Sequence, residues 1–291
     1  MSNPRLKADV ENARIKGLLF SPRLSRIALG SFLMASFPLI KDLPQVLDAT
    51  GWQWMRFEVS SAPSHDFWLG IDREGNRWLT KLKGFFYAYR EIVFARIAQK
   101  MKWSCQSSAF LHLDAQSAAI LGVSTGEVHA AHWFMDEHVY PPCSSTCSLK
   151  FLIGKSIETV DDLSGSNIAH LLDWPKSEFA ACLFGGNEPP GRLFTAVHEF
   201  VIIDSEQMFS TGPCELDGTS WWNRPDGQPS SSGRALALEV CREVSCLSEA
   251  DVEDALLIPK GVSVRKQWPI APKLRASRKF ATDFCATYAG A

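Results

Sequence analysis

The sequence predicts an α+β protein, in which a small antiparallel β-sheet with one helix is followed by a mainly helical half. Three observations predict this fold class. Stretches rich in aromatic and branched residues begin at Trp52 and recur up to residue 139, as in consecutive strands. One segment with helical spacing, residues 85–102, interrupts them. After residue 159 the pattern is mostly helical, with one further strand before a second helical region.

The composition is that of a large folded chain without a strong overall charge. Its 291 residues are 46% hydrophobic, enough to bury a core for one large domain or two lobes. A formal net charge of -2 and a pI near 6.4 do not indicate a global nucleic-acid binder. The 8 cysteines are irregularly spaced, which favours reduced thiols in a cytoplasmic protein.

Residues 1–50 predict a mostly helical N-terminal extension. Pro44 suits the first turn of a helix over PQVLDAT. The most apolar segment, residues 27–40, is shorter than the ~20 residues that a membrane-spanning helix needs. The acidic residues before it do not fit a signal peptide. We therefore expect a buried core helix there, no membrane insertion and a cytoplasmic protein.

Residues 51–140 contain the predicted sheet and its helix. Antiparallel strands lie on either side of a hairpin turn at residues 72–76. The segment FFYAYREIVFARIAQKMK predicts a helix with lysines at its C-terminal end. SAFLHLD and EVHAAHWFMDEHV predict further strands.

Residues 141–291 are predicted to be mainly helical. Residues 159–186 read as two helical pieces, and LFTAVHEFVIID reads as one strand. The segment GRALALEVCREVSCLSEADVEDALLIP predicts a helix that continues up to Pro259.

Three charged residues occupy chemically meaningful places in this order of elements. Lys81 ends the strand RWLTK, Glu91 stands near the start of the next helix, and Asp204 follows the apolar strand FVII directly. In a two-lobed kinase a strand lysine binds phosphate oxygens, a helix glutamate holds that lysine, and a distal aspartate carries Mg²⁺. Each residue also has a simpler alternative: Lys81 could face solvent, Glu91 could be an acid favoured by the helix dipole, and Asp204 could start a turn. We favour the metal role for Asp204, because a carboxylate closing an apolar strand is costly without a cation or donors.

In these segments the chain resembles the HipA-like kinases, bacterial serine/threonine kinases that include the toxin kinases of toxin and antitoxin pairs. REIVFARIAQKMKW is similar to the family's helix and the turn after it, and VIIDSEQMF to its hydrophobic, Ile, Asp, His, Gly segment. The resemblance covers about residues 52–245. It implies a protein-kinase-like fold with an N-lobe at residues 51–140 and a C-lobe with a basic tail at residues 141–291. It also implies ATP and Mg²⁺ as cofactors and phosphate transfer to a serine or threonine hydroxyl.

The expected catalytic loop departs from the family pattern. Where the family has Asn, X, Asp, Arg and then a second Asn, this chain has FGGNEPPGRLF. Asn187 matches either family asparagine, so it is a candidate metal contact, but the catalytic Asp position then falls on Pro189 or on Cys182. Glu188 is the carboxylate within reach as a substitute base. The loop leaves two interpretations open, an altered kinase and an inactive pseudokinase.

The resemblance also implies further nucleotide contacts. The candidates are Ser60, Ser61, Ser64, Phe134, Met135 and Asp136. The serines belong to SSAPSHDF, which takes the place of the loop over the phosphates; it lacks glycine but offers hydroxyl groups. The other three belong to the connector between the lobes, whose backbone would meet adenine.

Two further groups of residues allow alternative interpretations. A zinc site would draw on His129, His132, His138, Cys143 and Cys147. Residues three apart on a strand face opposite sides, as the first two histidines do, so core or connector residues are favoured and zinc stays open. Cys241 and Cys246 read as core thiols.

The segment from Lys260 to Phe280 is basic and contains no acidic residue. Its cations are Lys260, Arg265, Lys266, Lys273, Arg275, Arg278 and Lys279. A solvated surface is favoured over a docking face for an acidic partner or nucleic acid. The alternative function class is an interaction module with the shape of a kinase, which binds no nucleotide and acts through a protein partner.

Overall fold

The structure is a computed structural model of the 291-residue chain. It describes residues 46–57, 67–82, 85–126, 128–134, 173–186, 191–194, 200–214, 216, 230–260, 262 and 269–288. The chain divides into two compact units, Met1–Phe37 and Pro38–Ala291, and every described residue belongs to the second. The described ranges contain eight strands and six helices, so the predicted α+β class is confirmed. None of the helices in these ranges is long and apolar enough to cross a membrane.

Six strands form one mixed sheet in the order β1-β5-β6-β4-β3-β2. They are β1 Val46–Asp48, β2 Gln53–Phe57, β3 Phe67–Ile71, β4 Arg77–Lys81, β5 Ser108–His112 and β6 Val128–Trp133. All neighbouring pairs are antiparallel except β1 with β5, which is parallel. The prediction of a purely antiparallel sheet was therefore wrong at this edge.

The helix predicted over PQVLDAT is also wrong where the structure describes that segment. Val46 and Leu47 lie opposite Phe110 and Leu111 of β5. Pairing at the sheet edge buries Leu47 and partly buries Val46, and this tertiary contact outweighs a local proline signal for a helix start.

The predicted hairpin is confirmed between β3 and β4. The Asp72 carboxylate accepts hydrogen bonds from the backbone N–H groups of Glu74 and Asn76 and from the Trp78 indole. Gly75 completes the turn with a φ of 83°. The register that follows places Lys81 at the end of β4, opposite Phe67.

The two faces of the sheet carry different helices. The predicted helix is confirmed as α1, Phe85–Lys100, which packs against β5 and β6. Its buried residues include Ile92, Phe94 and Ile97. A second helix in this half, α2, Ala115–Leu121, was not predicted. Its Asp114 cap is a readable start signal, but seven residues are too few to show a clear helical period.

The second half contains four helices and a small sheet in the described ranges. They are α3 Asp173–Leu183, β7 Gly191–Phe194, β8 Phe200–Ile203, α4 Ser231–Ser245, α5 Glu249–Leu256 and α6 Ile270–Tyr288. The single strand predicted over LFTAVHEFVIID is instead parts of two strands, because β7 and β8 pair antiparallel. The predicted continuous helix before Pro259 breaks at Ser248, which forms a capping box with Asp251. The part of the predicted two-piece helix that precedes α3 lies outside the described residues.

One hydrophobic core joins α1 to the helices of the second half. The Phe184 ring lies 5.8 Å from the ring of Phe94 on α1 and 5.8 Å from that of Phe209, which follows β8. This packing brings the end of β8, and with it Asp204, under α1.

Candidate functional site

Lys81 is buried where β4 ends beneath α1. Its side chain is 8% exposed, so the solvent-facing alternative does not hold. The Nζ atom lies 2.5 Å from Glu91 Oε1 and 2.6 Å from Asp204 Oδ1. Three charges that are far apart in the sequence thus meet at one point, as the kinase interpretation requires.

Glu91 is held from its other side by an imidazole. Its side chain is 3% exposed, and Oε2 lies 3.0 Å from His132 Nε2. The opposite ring nitrogen, Nδ1, lies 2.7 Å from the hydroxyl oxygen of Ser108, the residue paired with His132 across β5 and β6. Sequence reasoning considered His132 as a core or connector residue or as a zinc ligand, and not as a partner of Glu91. Its alternation on β6 places it on the α1 face and could have suggested the contact with Glu91.

The buried ion pair is charged on both sides at neutral pH. Burial alone would lower the pKa of Lys81, but the charges of Glu91 and Asp204 outweigh it and raise that pKa above 10.5. Burial alone would raise the pKa of Glu91, but His132 and Lys81 outweigh it and hold that pKa below 4.5. The site therefore keeps a fixed ammonium next to a fixed carboxylate.

The depressed pKa of Glu91 predicts an acid limb of stability. The stabilisation that the Glu91 carboxylate contributes is complete above pH 4.5, which is its usual pKa. This stabilisation is lost as the pH falls towards the lower pKa that Glu91 has in the folded protein. The pKa of Lys81 is raised, so the stabilisation that its ammonium contributes is lost only when the pH rises above 10.5.

We expect Glu91→Gln to cost about 2 kcal/mol in urea unfolding at pH 7, because Lys81 keeps Asp204 as a partner. The difference from wild type should shrink at pH 3 to 4; a constant difference would show that this ion pair does not set the acid limb.

Asp204 and Glu206 offer carboxylates beside this pair. Asp204 has a φ of 53°, a left-handed conformation that aspartate tolerates, and its side chain is 54% exposed. Glu206 Oε2 lies 3.9 Å from Lys81 Nζ. Carboxylate oxygens of Glu91, Asp204 and Glu206 lie within 4.8 Å of one another, an arrangement that could hold a metal ion. Sequence reasoning missed Glu206, although its position two residues after Asp204 was a visible signal.

The donor set fits Mg²⁺. This ion prefers oxygen ligands and usually takes one or two carboxylates with several waters or phosphate oxygens. Both oxygens of Glu91 are engaged, by Lys81 and His132, whereas Asp204 shares only its Oδ1 atom with Lys81. Asp204 and Glu206 are therefore the two carboxylates best suited to the ion. The exposure of Asp204 leaves room for the remaining ligands.

The segment that carries these carboxylates is anchored from two helices. Arg90 of α1 donates from Nη1 to the Glu206 carbonyl oxygen and to the Ser210 hydroxyl. Lys273 of α6 donates from Nζ to the carbonyl oxygens of Phe209 and Ser210. One cation of the predicted basic tail therefore holds the site segment.

The other described cations of helix α6 pair with acidic side chains, unlike Lys273, which donates to backbone carbonyl oxygens. Arg275 and Arg278 pair with Glu249, and Lys279 pairs with Asp283. These contacts place acids from α5 and α6 next to a segment that has no acid of its own.

Of the other predicted nucleotide contacts, the structure describes Phe134. Phe134 follows β6, and its ring contacts Phe57 and lies under the guanidinium of Arg77. Outside the described residues lie Ser60, Ser61, Ser64, Met135, Asp136, Asn187, Glu188, His138, Cys143 and Cys147.

The histidines and cysteines that are described differ in their surroundings. His129 and His132 are both buried and lie three positions apart on β6, so they face opposite sides of the sheet. Cys241 is a core thiol, as predicted. Cys246 is exposed, and its prediction as a core thiol was wrong, because α4 ends at Ser245 and Cys246 lies beyond its buried face.

No protein-family model matches the chain, and no curated protein matches its sequence. Among solved structures, the chain is similar to the proinflammatory kinase CtkA of Helicobacter pylori, with 10% identity over 84% of this chain and 98% of that chain and a TM-score of 0.48. It is also similar to the golgi casein kinase, with 9% identity over 78% of this chain and 70% of that chain and a TM-score of 0.45. Similarity at this level defines no activity for this chain.

Proposed function

We propose that this chain has a two-lobed kinase-like fold of the HipA-like type and binds ATP with Mg²⁺ around Lys81. The observation that supports this most strongly is the meeting of Lys81, Glu91 and Asp204 within hydrogen-bond distance. A buried ammonium with a permanent carboxylate partner, next to an exposed carboxylate, suits a ligand that carries both phosphate oxygens and a cation.

Each charged residue has a distinct role in this proposal. Glu91 holds the Lys81 ammonium from the buried side, and Asp204 accepts a second N–H, which leaves the third N–H of Lys81 for a phosphate oxygen. Because His132 lies against the second oxygen of Glu91, the carboxylate has one preferred orientation. Glu91 and His132 are thus positioning residues, and Lys81 is the phosphate contact.

Asp204 and Glu206 would hold Mg²⁺. When bound, the ion neutralises charge on the phosphate oxygens. Arg90 and Lys273 keep the segment in place from α1 and α6, so the carboxylates are presented without a large ordering cost on binding.

Phosphate transfer to a serine or threonine hydroxyl of a protein substrate is the second part of the proposal. Glu188 is the residue we assign as the substitute base, and Asn187 as a second metal contact. Without a working base, the same site is that of a pseudokinase that binds nucleotide and does not transfer phosphate.

Nucleotide binding is tested by Asp204→Asn. Asparagine has the same shape and also tolerates the left-handed backbone, so folding should be retained. We expect wild type to bind Mg²⁺-ATP in isothermal titration calorimetry and the variant to bind at least about tenfold more weakly, as for loss of a metal ligand. Asp283→Asn, which removes an exposed acid from α6, is the matched control and should bind as wild type does.

The outcomes separate the function classes. If wild type does not bind Mg²⁺-ATP, the proposal is wrong and the interaction module acting through a protein partner is favoured. Binding together with ³²P incorporation from labelled ATP, lost in Asp204→Asn, supports a kinase. Binding without incorporation supports a pseudokinase.

A further inference from the structure

Two cysteines outside the charged site are in contact with each other. Cys182 lies in the last turn of α3, and Cys214 lies in the segment that follows β8. The backbone N–H of Cys214 donates to the Cys182 carbonyl oxygen at 3.0 Å, and its Sγ lies 3.6 Å from the same oxygen. Both thiols are free. A disulfide needs two cysteines whose backbones lie close together, and this backbone hydrogen bond holds Cys182 and Cys214 in that way.

The contact is fixed by the backbone and does not depend on one side-chain rotamer. The N–H groups of Phe209 and Thr211 donate to the carbonyl oxygens of Phe184 and Gly185 at 2.7 Å and 2.8 Å. Together with the bond from Cys214, these hydrogen bonds hold the end of α3 against the segment after β8. The backbones of Cys182 and Cys214 therefore remain neighbours whenever the fold is intact.

The two thiols differ in their access to solvent. Cys214 is exposed, so it can meet a dissolved oxidant, whereas Cys182 is partly buried. Burial, the contact with Cys214 and the charge of Glu178 raise the pKa of Cys182 to about 12. Cys214 is therefore the thiol that reacts first. Cys182 is placed for the second step by the backbone hydrogen bond that holds it next to Cys214.

We propose that Cys182 and Cys214 form a reversible disulfide when the chain meets a hydroperoxide. With hydrogen peroxide, Sγ of Cys214 attacks one oxygen, the O–O bond breaks, and a sulfenic acid and one water form. Sγ of Cys182 then attacks the Cys214 sulfur, the S–O bond breaks, and the second water leaves. Two thiols lose two electrons and two protons, and the peroxide is reduced to two waters.

The disulfide acts on the segment that carries the candidate metal carboxylates. It closes a loop of about 33 residues that contains β7, β8, Asp204 and Glu206, and it thereby restricts the unfolded chain. The oxidised protein should therefore resist local opening of this segment. The inference does not depend on whether the site binds nucleotide.

The test oxidises the full chain with hydrogen peroxide and maps its peptides without reduction. We expect a cross-linked peptide pair containing Cys182 and Cys214, its loss with dithiothreitol, and a melting temperature roughly 5 to 10 °C higher in the oxidised form. Cross-linking should become faster from pH 7 to pH 9, because more of Cys182 is then thiolate.

Three serine variants assign the steps. Cys214→Ser should abolish the cross-link, and Cys182→Ser should leave a sulfenic acid on Cys214 that dimedone traps. Cys246→Ser removes another exposed thiol and should cross-link as wild type does. The proposal is overturned if oxidised wild type shows no Cys182–Cys214 peptide at either pH, or if Cys214 accumulates as sulfenic or sulfinic acid while Cys182 stays a thiol.

Discussion

Lys81→Met is expected to destabilise the protein by about 3–5 kcal/mol in urea unfolding at pH 7, because it removes one partner of a buried ion pair. The variant leaves the Glu91 carboxylate 3% exposed with only the imidazole of His132 against it. Asp204 loses the same ammonium but is half exposed, so water can solvate it and its share of the cost is small.

The loss should be recovered in part when the buried carboxylate is also neutralised. Lys81→Met combined with Glu91→Gln leaves no unpaired charge, so the double variant should be more stable than Lys81→Met alone. Lys279→Met is the matched control, because its lysine is 77% exposed and pairs with Asp283 on the helix surface. If Lys81→Met costs no more than Lys279→Met, the ion pair does not stabilise this fold.

The sequence could predict the charged group because each member carries a local signal. Lys81 closes a strand, Glu91 lies on a helix with clear apolar spacing, and Asp204 ends an apolar strand. The positions of these elements along the chain matched a known order of strand, helix and distal strand, so three local signals were enough to expect one site. The distances from Lys81 to Glu91 and to Asp204 depend on tertiary structure, so they can be read only from the folded chain.

The contacts that sequence reasoning missed are those that depend on tertiary packing. His132 and Ser108 meet across β5 and β6, and Cys182 and Cys214 meet because α3 ends against the segment after β8. No spacing rule relates residues so far apart. The break before α5 is different: Ser248 followed three residues later by Asp251 is a local start signal, and a closer reading of the caps could have found it.

Gly185→Ala is expected to cost about 3–5 kcal/mol, a large effect for one added methyl group. Gly185 has a φ of 63°, which disfavours any side chain. A Cβ there would also lie 2.4 Å from the Thr211 carbonyl oxygen and 2.8 Å from that of Gly212. Both are backbone atoms, so the end of α3 and the segment after β8 would have to separate, which strains the hydrogen bond from Thr211 to Gly185.

Gly122→Ala separates the two causes. Gly122 ends α2 with a φ of 69°, close to that of Gly185, but nothing lies within 4 Å of its added Cβ. This control should therefore cost only the left-handed backbone penalty of about 1–2 kcal/mol. The difference between the variants in urea unfolding measures the close approach itself, and equal costs would contradict it. Because the separated segment carries Asp204 and Glu206, Gly185→Ala should also weaken the Mg²⁺-ATP binding that we propose. Gly122→Ala, on the opposite face of the sheet, should leave that binding unchanged.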